Sequence, residues 1–191
     1  MASLRLFTIA SLLSVILIAG CGKVQKEFER QLAICTAGEN NGVLAAAAEG
    51  CGTALDIARE NDFPPDEISE LTYRLGQIER KRGRFEDAET LLRTSLEFES
   101  QLSDPVGVAS RLVELSFSLA GQDRWEEGAK LLDRAEPHVR NLDGDERKAA
   151  ANALRGYAAQ LGELGDANGA ARFKELANEL VSPVNENTVA R

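Results

Sequence analysis

Small and apolar residues recur along this chain at helical spacing, and the stretch that shows the pattern best is Tyr73 to Leu96, YRLGQIERKRGRFEDAETLLRTSL. Leu75, Gly76 and Ile78 share one side of a first helix; Gly83-Arg84-Phe85 makes a turn; Ala88, Leu91, Leu92 and Leu96 line a second. Gly76 and Ala88 are small enough to let two helix backbones approach closely. The pattern predicts a helix-turn-helix hairpin, and it recurs on both sides. A first hairpin pairs Val24–Gly38 with Val43–Asn61, across the break at Gly38 to Gly42. Phe63-Pro64-Pro65-Asp66-Glu67 opens the second, with proline near the first turn and acids at the positive end of the helix dipole. After Ser103-Asp104-Pro105, a third runs Val106–Leu119, turns at Gly121 to Arg124, and continues Trp125–Val139. The fourth pairs Lys148–Leu164 with Ala167–Val181, and Ser182-Pro183 stops it ahead of a loose tail, 182–191. The first and last helices each carry one apolar stripe, Val24, Phe28, Leu32 and Cys35 at one end and Ala170, Phe173, Ala177 and Leu180 at the other. That is what end-capping elements of an array need. In the second helix of the first hairpin, Gly50 and Gly52 each weaken helix by about 1 kcal/mol relative to alanine.

Superposing the turns sets a register. Cys35, Gly76, Ser116 and Ala158 fall midway along the four first helices, at spacings of 41, 40 and 42. Leu44, Phe85, Trp125 and Ala167 open the second helices, followed three residues later by Ala47, Ala88, Gly128 and Ala170, and further on by Ala54, Ser95, Ala135 and Ala177. Small residues returning in register four times are what close contacts in a stacked array demand. Leu75-Gly76, Gly83, Phe85, Ala88 and Ser95 resemble the tetratricopeptide repeat pattern of Leu-Gly, Gly, aromatic, Ala and Ala. The spacing exceeds the family's usual 34, as in its longer-helix variants, and the fourth unit departs with Ala167 at the aromatic position. The resemblance implies an all-α, right-handed superhelical array of about four antiparallel hairpins over residues 24–181. It also implies a concave groove lined by the first helices that receives a peptide or protein. Projected from the register, the groove candidates are Tyr73, Gln77, Arg80, Val113, Phe117 and Arg155, which as an exposed tyrosine and phenylalanine among arginines would suit an apolar peptide with an acidic group. Each could equally be part-buried between hairpins. The lysine–asparagine clamp that some family members use for a terminal carboxylate is not reproduced, since Leu32 and Thr36 occupy the matching places.

The formal charge is −9, and Arg5 is the only charged side chain among the first 20 residues, so the body is more acidic still. Nucleic-acid binding needs lysine and arginine concentrated on one face, and this balance argues against it.

Residues 1–20 read as an address. Arg5 precedes an apolar run from Leu6 to Ile18, shorter than the roughly 20 residues of a membrane-crossing helix but suited to a signal-peptide core. It closes on Ile18-Ala19-Gly20-Cys21, which resembles the bacterial lipoprotein signal; a plain secretory peptide or an uncleaved anchor is the alternative. The resemblance implies cleavage after Gly20 and a diacylglycerol on Cys21, with residues 21–23 as a short tether. Each buried methylene contributes about 0.8 kcal/mol, so two or three acyl chains make a durable anchor. Gly22, where an aspartate would retain the protein at the inner membrane, implies the periplasmic face of an outer membrane, or a cell-membrane anchor in a one-membrane organism.

With Cys21 acylated, Cys35 and Cys51 remain, an even pair for an oxidising compartment. They sit inward on facing helices, either as a disulfide contributing about 3 kcal/mol or as two packed thiols. The lone histidine, His138, stands at a helix C-terminus where it complements the dipole. No HExxH, GxGxxG, GxxxxGK or GxSxG spacing occurs, so no enzyme, metal or cofactor beyond the Cys21 lipid is expected. The sequence thus points to a monomeric, membrane-anchored, non-catalytic adaptor of the bacterial envelope, with a periplasmic small-molecule or metal-responsive sensor as the alternative.

Overall fold

The computed structural model describes the backbone of residues 3–182 and the side chains of 22–182. Cys21 and the side chains of the apolar leader lie outside the described side chains, and most of the tail lies outside the described residues. Among the described residues there are eight helices and no strand: α1 (Ser3–Asn40), α2 (Leu44–Glu60), α3 (Pro65–Lys81), α4 (Phe85–Leu102), α5 (Pro105–Ala120), α6 (Trp125–Val139), α7 (Gly144–Glu163) and α8 (Ala167–Val181). None of the described helices is long and apolar enough to cross a membrane.

The helices pair as α1–α2, α3–α4, α5–α6 and α7–α8, and each hairpin stacks on the next. The bounds of α6 and α8 match the sequence pattern. α7 begins a turn earlier than the apolar pattern shows, because Asp145 and Glu146 supply an acidic first turn. α1 runs unbroken from Ser3, so the backbone is helical through 21–23, where a short tether is expected. Local chemistry accounts for the starts. Pro65 and Pro105 stand in the first turns of α3 and α5. The carboxylates of Asp104 and Asp166 cap α5 and α8, accepting from the amides of Val106 at 3.0 Å and Gly169 at 2.9 Å.

The turns carry the repeat as plainly as the helices. Within hairpins the left-handed residues are Gly42, Gly83, Asp123 and Gly165 (φ 69°, 77°, 57° and 87°), at the spacings of the small residues. Between hairpins they are Asp62, Ser103 and Gly144. Aspartate and serine stand where glycine would be easiest, which explains why these turns are harder to see in sequence.

The register positions form the core. Cys35, Ser116, Ala47, Ala88, Ala54, Ser95, Ala135 and Ala177 are all fully buried. Gly128 shows why: a Cβ there would collide with the hydroxyl of Tyr157, which donates to the Ser116 carbonyl at 2.7 Å. Gly50 has the same explanation, since its Cβ would lie 2.6 Å from the backbone nitrogen of Cys35. Its cost in helix propensity is offset by close approach of α1. Beside it, Cys35 and Cys51 are joined by a disulfide with Cα atoms 5.0 Å apart.

Gly128→Val is therefore expected to lower stability by about 1–3 kcal/mol through overpacking against Tyr157, measured by denaturant unfolding. Tyr157→Phe in that background should recover part of the loss, and additive effects would contradict the contact.

Candidate functional site

Successive first helices touch directly, α3 with α5 and α5 with α7. The second helices α6 and α8 meet through a long side chain, Arg172 reaching Asp133 and, at 2.9 Å, Glu136. The first helices therefore line the narrower, concave side, as expected for this architecture.

Polar ladders stitch that side together. Arg74 reaches back from α3 to Glu39 and, at 2.8 Å, to Thr36 on α1. Arg80 of α3 pairs with Glu114 of α5 at 2.8 Å. The Tyr73 hydroxyl and Ser110 share a hydrogen bond of 2.7 Å, and Ser110 donates to Glu146 of α7 at 2.5 Å. Burial pushes the Tyr73 phenol well above its ordinary range, with the nearby Glu114 carboxylate adding to the shift, so Tyr73 stays neutral. Deeper still, the buried Arg111 guanidinium bonds Glu70 at 2.9 Å and Glu99 at 3.1 Å and lies 4.3 Å from the Tyr73 ring centroid. The Nε of Arg111 also reaches the Ser95 hydroxyl at 3.3 Å, and Ser69 joins Ser95 and Glu99. This network was not foreseen from sequence. Its one advance sign is that Arg111 and, three residues on, Glu114 interrupt the otherwise apolar and small run of α5.

The six groove candidates separate into two groups. Gln77, Arg80 and Phe117 lie together on the concave side, all half-buried, with the Arg80 guanidinium 4.8 Å from the Phe117 ring centroid. Tyr73 and Val113 do not present an exposed surface: they are 4% and 1% exposed. They share a register position that faces the following hairpin, so each is covered by the next unit. Arg155 holds the same position in the fourth hairpin. No described hairpin follows, so Arg155 is exposed and lines an end depression of about 630 Å³ between α7 and α8. The register position that does open on the groove is Thr36, Gln77, Phe117 and Ala159, one residue per hairpin, the two outer ones exposed and the two inner ones half-buried. Nothing in the sequence marks Ala159 or the exposed Lys81, since their neighbours in register look unremarkable.

On the outer edge, Glu89 ties the second and third hairpins. Desolvation opposes its ionisation, but hydrogen bonds from Gln122, Arg93 and Arg124 outweigh this and hold its carboxyl below the usual range. Gln122 reaches it at 2.9 Å and Arg124 at 2.5 Å.

The chain is similar to a number of solved structures, two of which show the likeness. BtubC (BKLC) from P. vanneervenii superposes with a TM-score of 0.64 at 17% identity, over 95% of this chain and 74% of that one. A putative kinesin light chain from Podosopora anserina, with nearly identical TPR-like repeats, superposes with a TM-score of 0.61 at 14% identity, over 80% and 74%. The fold is a TPR-like helical array. No family model matches the chain, and no curated protein does. The TPR-like neighbours agree with the helical hairpin plan.

Arg80 and Gln77 should separate structure from surface. Arg80→Ala strands the buried Glu114 carboxylate and is expected to cost about 2–3 kcal/mol. Gln77→Ala is expected to change stability by no more than about 0.5 kcal/mol. Thermal unfolding of the two variants reads the difference, and equal effects would contradict the ladder.

Proposed function

We propose that the protein is a membrane-anchored, non-catalytic scaffold of the bacterial cell envelope that binds a peptide or protein along its concave face. The observation that carries the binding part is the Thr36–Gln77–Phe117–Ala159 row. It offers one accessible position per hairpin, with an aromatic ring under a guanidinium at its centre. A phenylalanine held by Arg80 gives a partner an apolar contact, and the exposed Lys81, next to Arg80 in the chain, attracts a carboxylate, so an apolar segment with an acidic group fits best. The TPR-like fold supports the reading by analogy alone, because a fold does not carry a function.

Two features support the anchor and the address. Ile18-Ala19-Gly20-Cys21 has the form of an acylation signal behind an apolar core. The Cys35–Cys51 disulfide suits an oxidising compartment such as the periplasm. Acylation of Cys21 would place the array against a lipid surface, and Gly22 beside it, where an inner-membrane signal would have aspartate, supports attachment to the outer membrane. The disulfide also weighs against a metal- or thiol-responsive sensor built on Cys35 and Cys51, since it leaves neither sulfur as a thiolate ligand.

The anchor predicts that a palmitate analogue labels the wild-type chain in cells, and that Cys21→Ser loses both the label and the membrane fraction. Labelling unchanged in Cys21→Ser would remove the anchor. For the groove, a photoreactive residue at Phe117 should crosslink one dominant protein in the native envelope, and Gln77→Ala with Lys81→Ala should weaken the product. Crosslinks formed instead from the convex face, at Thr90, would move the binding surface off the concave side.

A further inference from the structure

The two end faces of the array complement each other. At each internal joint a first helix enters the seat made by the hairpin before it, and the shared register allows each contact to be transferred to the ends. At the joint between hairpins 3 and 4, Tyr157 sits over Gly128 and the Ser116 carbonyl. The equivalents are Ile34 on α1 and Ala170 and Ala158 on hairpin 4. Ile34 is 37% exposed, one of only five large hydrophobics so placed among the described residues, and Ala158 and Ala170 line the end depression. At the joint between hairpins 2 and 3, the Tyr73 hydroxyl meets Ser110 at 2.7 Å. Their equivalents are Arg155 in hairpin 4 and Glu29 in hairpin 1, an exposed cation and an exposed carboxylate. At the same joint Arg124 meets Glu89 at 2.5 Å, and the equivalents are Val43, 53% exposed, and Ala171 in the depression.

Three contacts seen inside the array thus translate into three compatible pairs between opposite ends: Ile34 with Ala158 and Ala170, Glu29 with Arg155, and Val43 with Ala171. The charged residues of the depression, Arg155 and Lys174, are both cationic, whereas the outer side of α1 offers the carboxylate of Glu29. From this the geometry points to a second copy of the same chain as the occupant of the α7–α8 seat, docking its α1 face so that the arrays stack head to tail. Such a heterologous contact does not close on itself and builds open chains. It would also continue the concave row from Ala159 of one copy to Thr36 of the next. The single-striped end helices alone favour a monomer; the exposed Ile34 and Val43 and the matched charges carry the opposite reading. The inference rests on the repeat register and stands whether or not the concave face binds a partner.

The test is sedimentation of the full chain in detergent over a wide concentration range. The wild type should self-associate with rising concentration. Arg155→Glu should raise the concentration needed by about tenfold, and Glu29→Arg with Arg155→Glu should restore it. Because both residues are exposed, matching melting temperatures would show that the variants fold. Photocrosslinking from position 34 should join the α7–α8 segment of a second copy. A wild type that stays monomeric throughout overturns the inference, as does association indifferent to Arg155→Glu, which would assign self-assembly to the apolar leader or another face. Crosslinks from position 34 to any other segment also overturn it.

Discussion

Everything in this array depends on how closely one helix can approach another at a few small residues. Gly128 admits the Tyr157 hydroxyl to the backbone of α5, and Gly50 lets α2 lie against the backbone of α1. Ala88, Ala47, Ala54, Ser95 and Ala135 are buried with no exposure at all. A larger side chain at any of them would push the helices apart, and because each hairpin rests on its neighbour the displacement would propagate along the stack. The short apolar contacts set the spacing between helices. The charged ladders then fix the rotation of one hairpin on the next.

That division has a consequence for where function can lie. α5 is the most enclosed helix, with buried side chains on nearly every side, and it carries polar contacts to hairpins on both flanks. Tyr73, Arg111, Glu99 and Glu114 belong to this internal work. The concave surface that the array does not use for itself is chiefly the Thr36–Gln77–Phe117–Ala159 row, where the proposed partner would bind. Disturbing Arg80 touches both surface and ladder, so loss of binding in such a variant would not by itself locate a site.

Much of the fold was legible in the sequence because a repeat states its constraints several times. One alanine says little, but Ala47, Ala88, Gly128 and Ala170 in register say that a backbone lies close by. The paired cysteines were readable as inward-facing for the same reason. The candidate groove was half legible. Of the residues projected from the register, Gln77, Arg80 and Phe117 are half-buried and open to the concave side, whereas Tyr73 and Val113 lie about one turn away and are covered by the next hairpin. Helical period gives direction around one helix, but the width of the neighbour's shadow depends on the stacking angle, which no single helix encodes. The Arg111 network was hidden because its partners, Glu70 and Glu99, lie on two different helices and look in sequence like ordinary solvated acids.

Small-residue contacts and polar ladders converge on α5 and make it the most strongly held element. Residue-resolved amide hydrogen exchange of the native protein tests this most directly. Exchange should be slowest in α5, faster in α4 and α6, and faster still in α8, the end helix that lacks a stapling disulfide. α5 amides that exchange as fast as those of α8 would contradict it, and would mean that the hairpins open independently of the joints between them.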